Sequence, residues 1–206
     1  MRCALFLGLA SVGLGQSLLV DGGFESPVRS GTQNISGSFT LGAWSGVAVS
    51  GGGNAGLVVG TDNGLAPLEG RQHFTFNGGN PGSNGGYIEQ AFATVVGQSY
   101  RVTFGVGRSG GGQDLSLSAG VFEGVSFVSG STFAPPAAVG YALGEFSFVA
   151  GSGSARLRFT DTSGGNSISD LYLDNVAVSA VPEPGTWALL AGAAALGLAV
   201  WRRRRA

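Results

Sequence analysis

Few side chains of this sequence have the types and spacing that catalysis needs. His73 is the single histidine and Cys3 the single cysteine among the 206 residues, so a zinc centre is not expected. The run Gly107-Arg-Ser-Gly-Gly111 matches the G-x-S-x-G pattern of serine hydrolases. That pattern acts as a nucleophile only before a helix and with a histidine later in the chain. Because His73 comes earlier, Ser109 is interpreted as a turn residue.

The overlapping run Gly105-Val-Gly-Arg-Ser-Gly110 matches G-x-G-x-x-G. A dinucleotide site needs a helix to open directly after this motif, so that backbone amides and the helix dipole meet phosphate. Here Gly111, Gly112 and an alternating apolar segment follow instead. The run is therefore predicted to be a hairpin loop.

Carboxylates are the remaining catalytic option. A glycosidase needs two of them about 5–10 Å apart. Nothing in the sequence places any two acids together, so no enzyme activity is predicted and a glycan hydrolase is kept only as an alternative. The glutamates considered for such a pair are Glu69, Glu89, Glu123 and Glu145.

The distribution of charge separates the chain into parts. The whole chain has a net charge of −1 and only 11% charged residues. Residues 16–180 contain six arginines and eleven acids, which gives 6 − 11 = −5. A nucleic-acid partner is excluded because such proteins carry a basic patch in the folded region.

The first 15 residues have the layout of a secretory signal peptide. Arg2 gives a short basic region, and Cys3 to Leu14 is apolar. Gly13 and Gly15 supply small residues before a cleavage site. Residues 1–15 are predicted to be removed on export, and the only cysteine is lost with them.

The C-terminal end predicts a membrane segment. Residues 187–201 contain no charged side chain and have a tryptophan at each end, and four arginines, Arg202, Arg203, Arg204 and Arg205, follow directly. As a helix this segment rises about 22 Å, which is shorter than the ~30 Å hydrocarbon core. The positive-inside rule keeps the arginines in the cytoplasm and the long domain outside.

Residues 181–206 resemble the PEP-CTERM protein-sorting tail. The resemblance is carried by the motif Val181-Pro182-Glu183-Pro184, the hydrophobic helix and the arginine run, in that order. It implies recognition by an exosortase, a membrane sorting protease, followed by cleavage near the motif. The protein is then anchored in the membrane before processing and is cell-surface or extracellular afterwards. The two prolines favour an extended stretch that a protease can hold.

The middle of the chain is predicted to be an all-β, antiparallel sandwich. Apolar residues alternate with polar ones, and Gly/Ser/Asn clusters separate the segments. In residues 98–106, for example, Tyr100, Val102, Phe104 and Val106 share one face. Strands are predicted at 17–20, 41–49, 55–60, 71–76, 86–94, 98–106, 114–121, 124–129, 141–149, 154–160 and 171–179.

Three segments of this region resemble the galactose-binding-like jelly rolls, which include many carbohydrate-binding modules. The run Leu18-Leu-Val-Asp-Gly-Gly-Phe-Glu-Ser-Pro27 resembles the opening strand and turn of these jelly rolls, with Asp21 where Asn is usual. The middle strand pair resembles residues 87–94 and 97–104. The closing strand resembles Leu171-Tyr-Leu-Asp-Asn-Val-Ala-Val178.

That resemblance implies a structural calcium ion held by Glu25 and Asp174, since these residues lie in the opening and closing segments. Calcium prefers six to eight oxygen ligands. A solvated turn at Glu25 and a capped bend at Asp174 are the alternatives. The apolar parity switches between Leu173 and Val176, which predicts a β-bulge at Asp174-Asn175.

Sugar-binding sites stack aromatic rings on pyranose faces, so aromatic residues are the candidate ligand contacts. Trp44 is the only tryptophan of residues 16–180, although a core position is favoured for it. Tyr87 and Tyr141 lie near glycine-rich segments, and for them too both a core position and a ligand contact are considered. The sequence thus predicts an exported, non-catalytic binding module, with extracellular polysaccharide as the expected partner. A purely structural surface protein is the alternative.

Overall fold

The computed structural model describes residues 16–49, 55–76, 86–111, 114–164 and 169–182, and in the tail 192, 196–198 and 200–205. The predicted signal peptide and the motif residues Glu183 and Pro184 lie outside these ranges, as do residues 187–191 of the predicted membrane helix. Strands account for most of the rest. In the described ranges they are β1 Gln33–Ile35, β2 Gly37–Leu41, β3 Trp44–Ala48, β4 Ala55–Val59, β5 Gln72–Thr75, β6 Tyr87–Ala93, β7 Ser99–Gly110, β8 Leu117–Glu123, β9 Ser126–Phe133, β10 Gly140–Val149, β11 Ser154–Asp161 and β12 Ser169–Ala180.

The strands form two antiparallel sheets that pack face to face, as predicted. Sheet A has the order β1-β4-β5-β12-β7-β10, and sheet B has the order β2-β3-β6-β11-β8-β9. Strands that are neighbours in a sheet are mostly distant in sequence. Residues from several separate parts of the chain therefore share each outer surface.

Period-2 alternation explains the core. In β7, Val102 and Phe104 are fully buried between the sheets, whereas Arg101 is exposed. The same alternation places Leu157 and Phe159 of β11 inside. Since successive side chains point to opposite sides of a strand, each sheet also has an outward surface. We call these surfaces face A and face B.

Three sequence predictions of local structure are wrong. Residues 105–110 are not a hairpin loop but the second half of β7, which continues to Gly110. Ser109 accordingly lies in a strand and is 1% exposed. Residues 17–20 form no strand, although the Leu18 amide donates to the Val178 carbonyl. Strands β1 and most of β2 were not predicted, because residues 33–40 contain too few apolar side chains to alternate.

The predicted bulge in the last strand is confirmed. The register between β12 and β7 shifts between Asp174 and Ala177. Asn175 has φ 50°, a left-handed conformation that asparagine tolerates better than most residues. Asp174 therefore projects onto face A while Val176 returns to the core.

Both ends of the described sandwich lie at one end of the fold. Ala180 pairs with Tyr100, and Val149 pairs with Ser99. The Val181 amide donates to the Ser99 carbonyl at 2.8 Å. The start of the tail is thus attached at the same end of the sandwich as the N-terminal segment, whose Leu18 amide donates to the Val178 carbonyl.

Candidate functional site

Face A carries an aromatic ring that lies on bare backbone. Gly105 and Gly107 of β7 face outward, and Tyr141 of β10 is paired with Gly107. A Cβ atom on Gly107 would lie 2.5, 2.8 and 2.9 Å from three ring atoms of Tyr141. The Tyr141 ring therefore occupies the space that a side chain at Gly107 would fill. Any larger residue there would displace the ring.

A chain of polar side chains runs from this ring across the sheet. The Nδ1 atom of His73 in β5 lies 2.7 Å from the Tyr141 hydroxyl. The His73 ring lies 4.5 Å from the ring of Tyr172, which projects from β12. The Tyr172 hydroxyl donates to the carboxylate of Asp62 and accepts from the Ser109 hydroxyl at 3.4 Å. Residues from β5, β7, β10 and β12 thus meet at one place.

Burial sets the charge states of this group. Desolvation lowers the pKa of His73 to about 4 despite the opposing charge of Asp62, so the imidazole is neutral at physiological pH. Desolvation likewise raises the pKa of Tyr141 and of Tyr172, so both hydroxyls keep their protons. The Nε2 atom of His73 is buried and has no hydrogen-bond partner among the described residues.

The segment 60–71 covers part of face A, and Asp174 holds it there. The Oδ2 atom of Asp174 accepts hydrogen bonds from the amides of Leu68 at 2.7 Å and Glu69 at 3.0 Å. Its Oδ1 atom accepts one from the Asn175 amide at 2.7 Å. Asp174 is fully buried, and this desolvation raises its pKa to about 6. The Leu68 side chain packs over Gly105, beside Tyr141.

Glu25 holds the same segment at the same, C-terminal end, a few residues further along the chain. Its Oε1 atom accepts hydrogen bonds from the amides of Arg71 at 2.7 Å and Gln72 at 2.8 Å. The oxygens of Glu25 and Asp174 thus already bind backbone amides of one segment. Among the described residues, no group of three or more histidines, cysteines or acids could hold a metal ion. These contacts fit the anchoring of a loop better than a bridging calcium ion. Calcium binding stays a prediction, which calorimetric titration would test.

The two aromatic residues singled out from the sequence lie elsewhere. Trp44 is 0% exposed, and its indole N–H donates to the Asp21 carbonyl at 2.9 Å. It belongs to the core, the alternative favoured from sequence, and presents no ring face to a ligand. Tyr87 is partly exposed on face B, where the guanidinium carbon of Arg158 lies 4.2 Å from its ring centroid.

Sequence analysis did not find the His73–Tyr172–Asp62 chain. One signal was available, because polar or aromatic residues recur at the outward parity of the central strand, at Asp170, Tyr172 and Asp174. If solvent covered the outer side of this strand, these outward side chains would not be buried. Asp62 itself could not be assigned to the site, since it lies in an irregular segment.

The described part of the tail is helical at residues 192, 196–198 and 200–203. The guanidinium of Arg205 lies 4.0 Å from the ring centroid of Trp201. Within these described residues there is no helix of the length and apolar character that crossing a membrane requires.

Comparison with known proteins assigns the tail first. Residues 180–205 match the PEP-CTERM protein-sorting motif. This match includes Val181, Pro182 and the terminal arginines, in agreement with the sequence prediction. No curated protein is significantly similar to the chain in sequence.

The sandwich is similar to solved carbohydrate-binding structures. One is a CBM61 module in complex with β-1,4-galactotriose, at 14% identity and a TM-score of 0.51, covering 81% of this chain and 99% of that one. Another is a putative sugar binding protein from Bacteroides thetaiotaomicron, at 10% identity and a TM-score of 0.53, covering 81% and 100%. A third is an α-L-arabinofuranosidase, at 13% identity and a TM-score of 0.52, covering 82% of this chain but 27% of that one. At these identities the likeness shows the jelly-roll fold.

Proposed function

We propose that this chain is an exported protein, sorted to the cell surface through residues 180–205, and that face A of its sandwich binds a neutral polysaccharide without catalysis. One observation carries the binding proposal. The Tyr141 ring lies on the backbone of Gly107, its hydroxyl lies 2.7 Å from His73 Nδ1, and the nearby Tyr172 hydroxyl donates to Asp62.

This arrangement suits a sugar ring. Three ring atoms of Tyr141 are nearly equidistant from the Cβ position of Gly107, so one face of the ring lies towards the sheet and the other away from it. Tyr141 is partly exposed. An aromatic face with convergent polar groups at its edge is a common design for small-ligand sites.

The charges of face A favour a neutral glycan over an acidic one. Asp62, Asp170 and Asp174 all lie on this side of sheet A, and their oxygens accept hydrogen bonds. Arg101 of the same face is already paired with Glu145. Asp174 is buried, but sugar hydroxyls can donate to the half-buried Asp62 and Asp170, whereas a sugar carboxylate would be repelled.

Two further observations support a binding role over hydrolysis. Glu145 lies on face A and Glu89 on face B, and each is paired with arginine. Glu123 accepts a hydrogen bond from the Gly151 amide at 2.7 Å. The three glutamates are thus engaged at separate places. The CBM61 structure with bound galactotriose has the same fold, which makes carbohydrate the ligand class to test first.

The sorting proposal follows from the tail. A PEP-CTERM motif implies processing by an exosortase, with the tail as substrate and membrane anchor before the cut. The contacts of the sandwich reach the first residue of the motif, since the side-chain amide of Gln98 donates to the Val181 carbonyl at 2.7 Å. Mass spectrometry of the surface-exposed protein should find a C-terminus that lacks Arg202 to Arg205. A mature protein with the intact arginine run would contradict sorting.

Glycan binding is tested with the full chain in mild detergent on an array of neutral and acidic polysaccharides. Wild-type protein should retain a neutral glycan, and Tyr141→Ala should lower the affinity by about tenfold or more. Val149→Ala is the matched control, since Val149 is 56% exposed at the far end of the same strand. If no glycan is retained, or if Tyr141→Ala binds as well as wild type, the proposed site is wrong. The first outcome would leave a purely structural role.

A further inference from the structure

Face B carries a partly exposed row of aromatic and guanidinium groups that the proposed site does not use. The row crosses four neighbouring strands of sheet B, β6, β11, β8 and β9. We call it the cationic strip, and it consists of Tyr87, Arg158, Phe122 and Phe127. Strands lie about 4.8 Å apart, so the row is about 14 Å long.

The groups of the cationic strip contact one another in sequence. The Arg158 guanidinium carbon lies 4.2 Å from the Tyr87 ring centroid and 5.5 Å from that of Phe122. The Phe122 and Phe127 rings lie 5.6 Å apart, nearly edge to face. Both phenylalanine rings lean over Gly120, since a Cβ atom there would be 3.0 Å from Phe127 and 3.3 Å from Phe122. The strip is therefore low and continuous.

The strip exposes more cation than anion. Glu89 accepts from Arg158 Nε at 2.6 Å and lies 3.2 Å from Arg156 Nε. The side chain of Glu89 is 14% exposed, against 29% for Arg158 and 34% for Arg156. Glu89 thus lies beneath both guanidinium groups and is hydrogen-bonded to that of Arg158. Arg156 also donates to the Gly124 carbonyl at 3.3 Å, and the remaining N–H donors of the two side chains can serve a ligand. Guanidinium is well suited to carboxylates because its donors match them two at a time.

Exposed apolar area accompanies this charge. Phe127 is 62% exposed and Val125, in the adjoining turn, is 97% exposed. An aromatic ring kept in water beside oriented guanidinium groups is typical of a contact surface. Residues 16–180 have a net charge of −5, so the attraction of a polyanion is confined to the surroundings of Arg156 and Arg158, which outnumber their partner Glu89.

We propose that the cationic strip is a second binding surface, for an extended acidic polysaccharide whose uronate rings stack on the exposed Phe127 and whose carboxylates pair with Arg158 and Arg156. The two faces then hold two glycans of different charge on opposite sides of one sandwich. This inference is independent of the neutral-glycan site, because the two surfaces share no residue.

The probe is polygalacturonate, with fully methyl-esterified polygalacturonate as its uncharged counterpart, titrated against the full chain in mild detergent. Wild type should bind the acid form at least about tenfold more tightly than the ester. Phe127→Ala and Arg158→Gln should each reduce binding of the acid form by about tenfold, and Arg158→Lys should be intermediate because it keeps the charge but loses the planar fork. Circular dichroism establishes that each variant is folded, and Phe127, as a mostly exposed side chain, can be truncated with little risk to the fold.

Tyr141→Ala serves as the control on face A and should leave polygalacturonate binding unchanged. Equal binding of acid and ester, no binding of the acid, or an unaffected Phe127→Ala variant would each overturn the proposal. The outcome is distinguishable from the face A result, since neutral glycans report on Tyr141 and polygalacturonate reports on Phe127.

Discussion

On both faces of the sandwich an aromatic ring lies over a glycine, but the two faces differ in how far other residues cover them. On face A the ring of Tyr141 lies over Gly107, and on face B the rings of Phe122 and Phe127 lean over Gly120. On face A, however, segment 60–71 covers the sheet and buries His73, Tyr172 and Asp174 completely. On face B nothing among the described residues covers the charged groups, and the side chains of Arg156 and Arg158 are about one-third exposed.

This difference teaches that the alternation of a strand selects which residues point outward but does not decide their energetics. On face B the guanidinium groups that pair with Glu89 stay about one-third exposed, so these ion pairs contribute little. On face A the carboxylate of Asp174 is dry, so every hydrogen bond that it accepts matters. The decisive element is the irregular segment 60–71, held by Glu25 and Asp174.

The largest contrast is expected when one carboxylate is removed from each face. Asp174→Ala leaves the amides of Leu68, Glu69 and Asn175 without their acceptor, which should cost about 4 kcal/mol of unfolding free energy. Glu89→Ala should cost about 1 kcal/mol or less, because the freed guanidinium groups are rehydrated. Urea denaturation followed by circular dichroism measures both. Equal costs would show that segment 60–71 does not make face A dry.

A pH titration should separate the faces next. Unfolded His73 binds a proton below its ordinary pKa of 6.5, whereas folded His73 does so only below a pKa of about 4. The unfolded state therefore binds more protons in this window, and this group makes stability rise with pH. Asp174 acts in the opposite direction, since its pKa is 3.8 when unfolded and about 6 when folded.

In wild type these two terms oppose each other between about pH 4 and pH 6. His73→Leu removes only the first, so the variant should lose about 3 kcal/mol of stability as the pH rises across that window. Phe127→Ala on face B should keep the wild-type profile. Unfolding free energies measured at several pH values provide the test. A His73→Leu profile parallel to that of wild type would refute the assigned burial.

Gly107 and Gly120, which lie beneath aromatic rings on faces A and B, are expected to differ in how well they tolerate a substitution. Gly107→Ala places a Cβ atom 2.5–2.9 Å from three ring atoms of Tyr141, which should cost about 2 kcal/mol and abolish the stacking of a neutral glycan. Gly120→Ala meets its neighbours at 3.0 Å or more, and exposed Phe127 can tilt away, so its cost should be about 1 kcal/mol or less. Thermal unfolding and glycan titration of the pair would measure the difference. If both variants lose the same stability and the same glycan binding, Gly107 does not fix the position of the Tyr141 ring.

The smallest effect is expected from single hydroxyl groups. Tyr172→Phe removes the donor to Asp62 and the acceptor for Ser109, at a cost of about 1 kcal/mol. Tyr87→Phe on face B should be nearly neutral, since the ring keeps its contact with Arg158. The midpoint of urea unfolding would resolve the two. A Tyr172→Phe variant as stable as wild type would indicate that water replaces the lost contact.

The sequence predicted the sandwich well because alternation and glycine-rich turns are local signals. The parity switch around Asp174 even located the bulge of β12. The prediction from local sequence failed where the packing of another strand decides the structure. Gly105 and Gly107 suggest a loop by composition, yet they lie in a strand because the Tyr141 ring needs their missing side chains.

The candidate site was beyond reach for a different reason. His73, Tyr141 and Tyr172 come from strands that are distant in sequence and neighbours only through the sheet order β5-β12-β7-β10. No spacing rule encodes that order. Tyr87 was predicted as a ligand contact and lies on an exposed face, but its partners Arg158 and Phe122 also became apparent only from the sheet order.

The position of β12 has a mechanical consequence. This strand leads directly into the tail and lies in the interior of sheet A, with β5 on one side and β7 on the other. Its ladder with β7 extends from Ser169 to Ala180, and the hydrogen bonds of an antiparallel ladder lie perpendicular to the strands. A pull on the tail along the strand axis loads these bonds in shear, all together, instead of opening them one after another. The sandwich should therefore resist tension that is applied to its C-terminal end along the axis of β12.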